Sequence, residues 1–235
     1  MLKLARGGPK VRRFTARERA GELSYYTGVM PSLAAALLAF LLCVPFAAAA
    51  ERVIVAFGDS LTAGLGVTPE NSYPARLQGK VRAEGYDYRV VNAGASGDTT
   101  AGGLRRVDWA LKNKPDVVIV ALGANDALRA QDLASVRNNL DAIVARFQKA
   151  GAKVLLAGME VPPNYGARYA GDFRKLYVEV ARKRNVAFMP FLLDGVAGNP
   201  ALNQSDGIHP TAEGYGIIAD RLWPYLQPLL TRAGG

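Results

Sequence analysis

Cysteine and histidine each occur once in this 235-residue chain, and that scarcity excludes a good deal of chemistry. A single cysteine cannot form an intrachain disulfide, and Cys43 lies inside an uncharged apolar stretch, so a folded domain beyond it has no thiol to use. Leu42, directly before it, lacks the small side chain of a lipoprotein cleavage site. His209 is equally alone. A catalytic zinc usually draws two or more His or Cys ligands, so no metal is expected. Charge is missing from Val29 to Ala50. The remainder carries no basic run interleaved with aromatics, no low-complexity tract and no internal repeat of about 20–50 residues, which argues against a nucleic-acid partner and a repeat architecture.

The uncharged stretch has a core, Leu33 to Leu42, with the character of a signal-peptide apolar region, and Ala47 to Ala50 follow Pro45 as an A-x-A cleavage site. Ahead of it Lys3, Arg6, Lys10, Arg12, Arg13, Arg17 and Arg19 give the positive flank. Residues 1–50 therefore read as a signal peptide, cleaved after Ala49 or Ala50, and residues 51–235 as one exported domain, periplasmic or secreted. The alternative is an uncleaved anchor, since about 20 apolar residues span a bilayer. Arg12-Arg13-Phe14 is a poor twin-arginine signal because the apolar core starts well downstream, which favours the Sec route. The full chain has 29 basic and 20 acidic side chains; residues 1–50 hold seven and two of them, leaving 22 and 18, a net charge of +4. That balance is ordinary for a soluble protein. Roughly 185 residues can bury about 70% of their unfolded surface in one core without staples.

Beyond residue 51 the pattern alternates. Apolar runs suited to buried strands lie at Val53–Phe57, Tyr88–Val91, Val117–Leu122, Val154–Ala157 and Val186–Met189. Helical stripes separate them: Tyr73, Leu77 and Val81; Leu104, Val107 and Leu111; Leu133 through Phe147; Phe173, Leu176 and Val180; and finally Tyr215 through Leu226. Strands alternating with helices give an α/β fold, a mainly five-stranded parallel sheet covered on both faces, because right-handed crossovers leave few other packings. Loops are expected at Gly58–Thr62, Asn92–Thr100, Gly123–Asp126, Pro162–Gly166 and Asp206–Pro210.

Those loops collect the polar residues, at the strand ends where open α/β sheets meet ligands. Ser60 follows the first strand in Gly58-Asp59-Ser60, placed either as a nucleophile or as a helix cap. A serine hydroxyl needs a neighbouring base to react, and His209 is the only imidazole in the chain. Asp206 stands three residues before it with Gly207 between, within reach of its Nδ1, while Pro210 keeps His209 off a helix. His209 also has a bland reading as a capping or surface residue. A tetrahedral intermediate needs hydrogen-bond donors, and the backbone N–H groups of Ser60 and Gly97 and the side-chain amide of Asn125 are candidates; Gly97 and Asn125 also read as turn formers. Tyr165 and Tyr169 are candidates to line an acyl groove, or to serve packing alone.

Taken together, Gly58-Asp59-Ser60-Leu61, Asn92 through Gly97-Asp98-Thr99, Gly123-Ala124-Asn125-Asp126 and Asp206-Gly207-Ile208-His209-Pro210 resemble the four ordered blocks of the SGNH (GDSL) hydrolase family. The likeness runs from Arg52 to about Leu229 and is strongest to the exported bacterial arylesterases and acyl-CoA thioesterase I/lysophospholipases, whose Pro163–Tyr169 loop it also shares. The resemblance implies a flavodoxin-like three-layer α/β/α sandwich. It implies Ser60 as nucleophile and first oxyanion donor, Gly97 and Asn125 as the other donors, His209 as base and Asp206 as its partner. The expected activity is cofactor-free hydrolysis of aryl, fatty-acyl, lysophospholipid or thioester substrates through an acyl-serine, by a monomer that touches membrane surfaces transiently. A carbohydrate or peptidoglycan O-acetylesterase, or an exported non-catalytic binding module, are the alternatives.

Overall fold

The computed structural model describes residues 51–161 and 163–232. The signal-peptide reading of residues 1–50, with its cleavage site and Cys43, falls outside them. Five strands form one sheet: β1 (Arg52–Gly58), β2 (Tyr88–Gly94), β3 (Val117–Ala121), β4 (Lys153–Ala157) and β5 (Ala187–Met189). Their order is β2-β1-β3-β4-β5, and every pairing is parallel. β1 and β3 sit inside the sheet with both faces covered, and from Val53 to Ala121 their side chains are buried throughout, which is why both read as unbroken apolar runs. β2 at one edge pairs on one side only, and its burial is mixed.

The helices are α1 (Ser60–Ala63), α2 (Tyr73–Ala83), α3 (Thr100–Leu111), α4 (Ala124–Leu128), α5 (Leu133–Lys149), α6 (Ala167–Arg184) and α7 (Ala212–Leu226). α2 packs on α7, whereas α5 packs on both α3 and α6, giving one helical layer on each face of the sheet. Handedness accounts for the division. The chain steps from β1 to β2 in one direction and from β2 past β1 to β3 in the other, so right-handed crossovers drop α2 and α3 on opposite faces. That reversal leaves a crevice at the carboxyl ends of β1 and β3, the switch point where such sheets bind ligands.

Burial of apolar stripes holds the layers. α5 buries Val136, Leu140, Ile143, Val144 and Phe147, worth roughly 10 kcal/mol before entropy. Phe147 meets Phe57 of β1 edge-to-face with centroids 5.2 Å apart. Asp132 caps α5 by accepting from Ser135 N–H at 2.9 Å, and Thr211 caps α7 through Gly214 N–H at 3.3 Å.

The elements follow the sequence pattern, with corrections at the strand ends. Ser60 and Ala124–Asp126 were expected in loops; each instead begins a short helix directly after its strand, α1 and α4. Pro163–Tyr165 is a single 3-10 turn, and Tyr169 stands in the first turn of α6 rather than in the loop before it. Short helices of four and five residues leave no periodic apolar stripe, so the pattern cannot announce them. No described helix is long and apolar enough to cross a membrane.

Candidate active site

Ser60 enters the site because β1 runs straight into α1 with no room to wander. A Cβ on Gly58 would meet Thr62 Oγ1 at 1.9 Å and Ala121 O at 2.6 Å, so only glycine lets the chain turn this close to β3. Asp59 caps α1 by accepting from Leu61 N–H at 3.0 Å. Ser60 is then the first helical residue, 8% exposed, with its side chain in the cleft.

The opposite wall is the loop before α7. Gln204 N–H donates to His209 O at 2.7 Å and Thr211 N–H to Leu202 O at 2.9 Å, so the segment folds back on itself with Gly207 at φ 73°. Within this turn Asp206 Oδ1 accepts from the backbone N–H groups of Ile208 and His209, both at 3.0 Å. Gln204 Nε2 donates to Leu65 O and Pro210 O, each at 2.8 Å, which ties the histidine loop to the segment after α1.

Three side chains consequently line up across 149 residues of sequence. His209 Nε2 lies 2.9 Å from Ser60 Oγ, and His209 Nδ1 lies 2.6 Å from Asp206 Oδ2. An ionised carboxylate only accepts, so it selects the tautomer with hydrogen on Nδ1 and leaves the Nε2 lone pair for the serine hydroxyl. The His209 ring and the two backbone N–H groups hold the Asp206 carboxyl down at about 2. It therefore stays charged, and keeps the ring oriented, throughout the neutral range.

Gly97 and Asn125 line the same cleft as Ser60 and His209. Among the bonds between described residues, neither the Ser60 nor the Gly97 backbone N–H has a protein acceptor. Gly97 has φ 78°, a conformation glycine adopts without strain, and Asn125 sits in the first turn of α4. The cleft measures about 580 Å³ beside the serine, with walls from Leu61, Met159, Val161, Phe191 and Leu193. Tyr165 also lines it. Tyr169 does not; its ring is stacked between Tyr165 and Phe173, centroids 6.2 Å from each, so it backs the wall from behind.

Sequence reasoning missed the groups that hold these loops in register. Arg106 of α3 donates to Gly58 O at 2.6 Å, Ala93 O at 2.7 Å and Asp98 Oδ2 at 2.5 Å, with its guanidinium 4.0 Å from the Phe57 ring centre. One side chain thus fastens the ends of β1 and β2 beneath Ser60 and Gly97. Asp126, 3% exposed, accepts from Thr100 N–H at 2.8 Å and Thr100 Oγ1 at 2.6 Å, joining the Asn125 turn to the start of α3. Tyr177 donates to Leu122 O at 2.9 Å from below. None of these partners is adjacent in sequence. The only signal in the sequence was charge, Arg106 within the helical stripe that follows the Gly97 loop and Asp126 directly after Asn125.

A Ser-His-Asp series beside free backbone donors, on the carboxyl edge of a flavodoxin-ordered sheet, is the arrangement of a serine hydrolase. The chain belongs to the GDSL-like lipase/acylhydrolase family, whose model matches residues 56–217. It is therefore a carboxylic ester hydrolase with the SGNH three-layer fold. Over 183 residues it is 44% identical to esterase TesA of Pseudomonas aeruginosa, covering 77% of this chain and 91% of that one. It is 37% identical over 192 residues to thioesterase 1/protease 1/lysophospholipase L1 of Escherichia coli K12, covering 81% and 91%. A crystal structure of TesA superposes with a TM-score of 0.74 at 43% identity, over 76% of this chain and all of that one.

Proposed function

We propose that this chain is an exported serine esterase and thioesterase that works through an acyl-Ser60 intermediate on aryl and fatty-acyl substrates, without a cofactor. The observation that carries the reading is the 2.9 Å and 2.6 Å series Ser60–His209–Asp206 opening on an apolar cleft. As Ser60 Oγ attacks the acyl carbon, His209 Nε2 takes its proton and Asp206 stabilises the imidazolium. The carbonyl oxygen becomes an oxyanion, met by the N–H groups of Ser60 and Gly97 and by the Asn125 amide. When the intermediate collapses, the bond to the leaving oxygen or sulfur breaks and His209 returns the proton to it. Water then repeats the sequence on the acyl-serine, releasing the acid and restoring Ser60.

The cleft favours an acyl group longer than acetyl, because its walls offer apolar contact that two carbons cannot use. Three of the five exposed large apolar side chains among the described residues, Leu65, Leu128 and Ile208, stand at its mouth at 45–49% exposure. This apolar rim supports transient contact with a lipid surface. Export rests on the N-terminal segment and its Ala47–Ala50 site.

A fluorophosphonate probe should label Ser60, and kcat/KM should rise from acetyl through butyryl to octanoyl esters. A flat or falling series, with acetate released from acetylated polysaccharide, would replace this substrate class by an O-acetylesterase. Absence of labelling on the folded protein would remove Ser60 as nucleophile.

A further inference from the structure

Asp59 is only 1% exposed beside the nucleophile, yet none of the steps above uses it. Its Oδ1 does the ordinary work of a helix cap on Leu61 N–H, which a neutral asparagine does equally well. Its Oδ2 faces another part of the fold. Asn125 Nδ2 donates to it at 3.4 Å, reaching from the end of β3 to the end of β1.

An asparagine amide has two ends of nearly the same shape, one a donor and one an acceptor. Packing cannot tell them apart; a hydrogen-bond partner can. An ionised carboxylate accepts only, so it draws the nitrogen towards itself and leaves the second N–H of that nitrogen for the cleft, which Asn125 lines. We propose that Asp59 is a positioning residue of the oxyanion site, its ionised carboxylate selecting the Asn125 orientation that presents nitrogen, not oxygen, to the developing oxyanion. The inference rests on the reading of Asn125 as an oxyanion donor.

A protonated Asp59 loses this selectivity, because its own hydroxyl donates to a flipped amide oxygen. Burial raises the Asp59 carboxyl from its ordinary 3.8 to about 6, against the opposing pull of the Leu61 N–H and of His209. Orientation of the amide thus becomes pH-dependent close to neutrality. The other groups facing Asp59 are Asp98 before α3, Tyr73 of α2, Tyr177 of α6 and Tyr215 of α7, with Arg106 on the neighbouring Gly58 carbonyl and paired to Asp98. Burial pushes all three tyrosines upward, so they remain neutral here.

The test is a double-mutant cycle of wild type, Asp59→Asn, Asn125→Ala and the pair, assayed on one soluble acyl ester from pH 5 to 8. Asn keeps the Leu61 cap through its amide oxygen and so turns its NH2 donor towards Asn125. Asp59→Asn should lower kcat at least about 10-fold and at most the roughly 10²–10³-fold of a lost oxyanion donor, with KM changed only a few-fold. In the Asn125→Ala background it should cost less than about two-fold. The acid limb of kcat/KM should become less steep in Asp59→Asn, because the protonation of Asp59 no longer contributes to it. An equal loss in both backgrounds, or an unchanged acid limb, overturns the positioning role. If Asn125→Ala alone leaves kcat untouched, the oxyanion reading falls and takes this proposal with it, a result distinct from the first. Asp59→Ser, which also caps and also lacks the charge, repeats the measurement should Asp59→Asn not fold.

Discussion

Asp59→Asn should make the protein more stable at alkaline pH while making it a slower enzyme. The folded carboxyl titrates at about 6 because burial disfavours its charge, against 3.8 ordinarily. With the folded value above the unfolded one, the native state binds more protons between the two, so this group's penalty is absent below about pH 4, grows through the window and is complete above about pH 7. A shift of about two units at ~1.36 kcal/mol each gives roughly 3 kcal/mol. Asn retains the Leu61 hydrogen bond and nearly the same volume, so it sheds the charge penalty; weakening the bond to Asn125 offsets about 1 kcal/mol. The net gain is roughly 2 kcal/mol at pH 8, which for a domain of this size raises Tm by about 4–8 °C. Thermal melts of both proteins at pH 8, 6 and 4 measure it, since other titrating groups cancel in the difference. A Tm difference that is constant with pH would show that Asp59 carries no burial penalty and would refute the electrostatic argument.

Three further outcomes are expected. Asn125→Ala should lower kcat by about 10²–10³ with KM altered a few-fold, because the donor acts on charge that develops only in the transition state; steady-state kinetics with an unchanged kcat in the folded fraction would make Asn125 a turn former. Arg106→Met should destabilise by about 3 kcal/mol, read from chemical denaturation, since it strands Asp98 and the Gly58 and Ala93 carbonyls in a largely buried place. Leu128→Lys should lower turnover of a micellar lysophospholipid several-fold while leaving a soluble butyryl ester within about two-fold, if the exposed rim meets a lipid surface.

Strand and helix alternation was legible because a buried parallel strand must be apolar throughout and a packed helix must repeat its stripe, so Val117–Leu122 and Leu133–Phe147 declare themselves without neighbours. The candidate site residues stood out for a different reason, the resemblance of four ordered loop motifs to a known family. Chemistry restricts the side chain at each role, and with one histidine in the chain there was no competing base for Ser60. Tyr169 shows where that ends: the sequence left both it and Tyr165 open between groove lining and packing, and the structure puts Tyr165 in the cleft wall and stacks Tyr169 behind that ring.

What the sequence determined by itself was therefore the five strands, the long helices and their parallel arrangement, set by local periodicity, while Ser60, His209 and Asp206 emerged as candidate partners from side-chain chemistry together with the resemblance of the four motif blocks to a known family. Tertiary structure alone decided which polar groups support them. Arg106 reaches three carbonyl and carboxylate oxygens, Asp126 reaches Thr100, and Asp59 reaches Asn125, through contacts between residues 8 to 66 apart in the chain. Such bonds follow from the reversal of strand order at β1, which brings separate loops to one edge, and no local pattern in the chain encodes the distance between them.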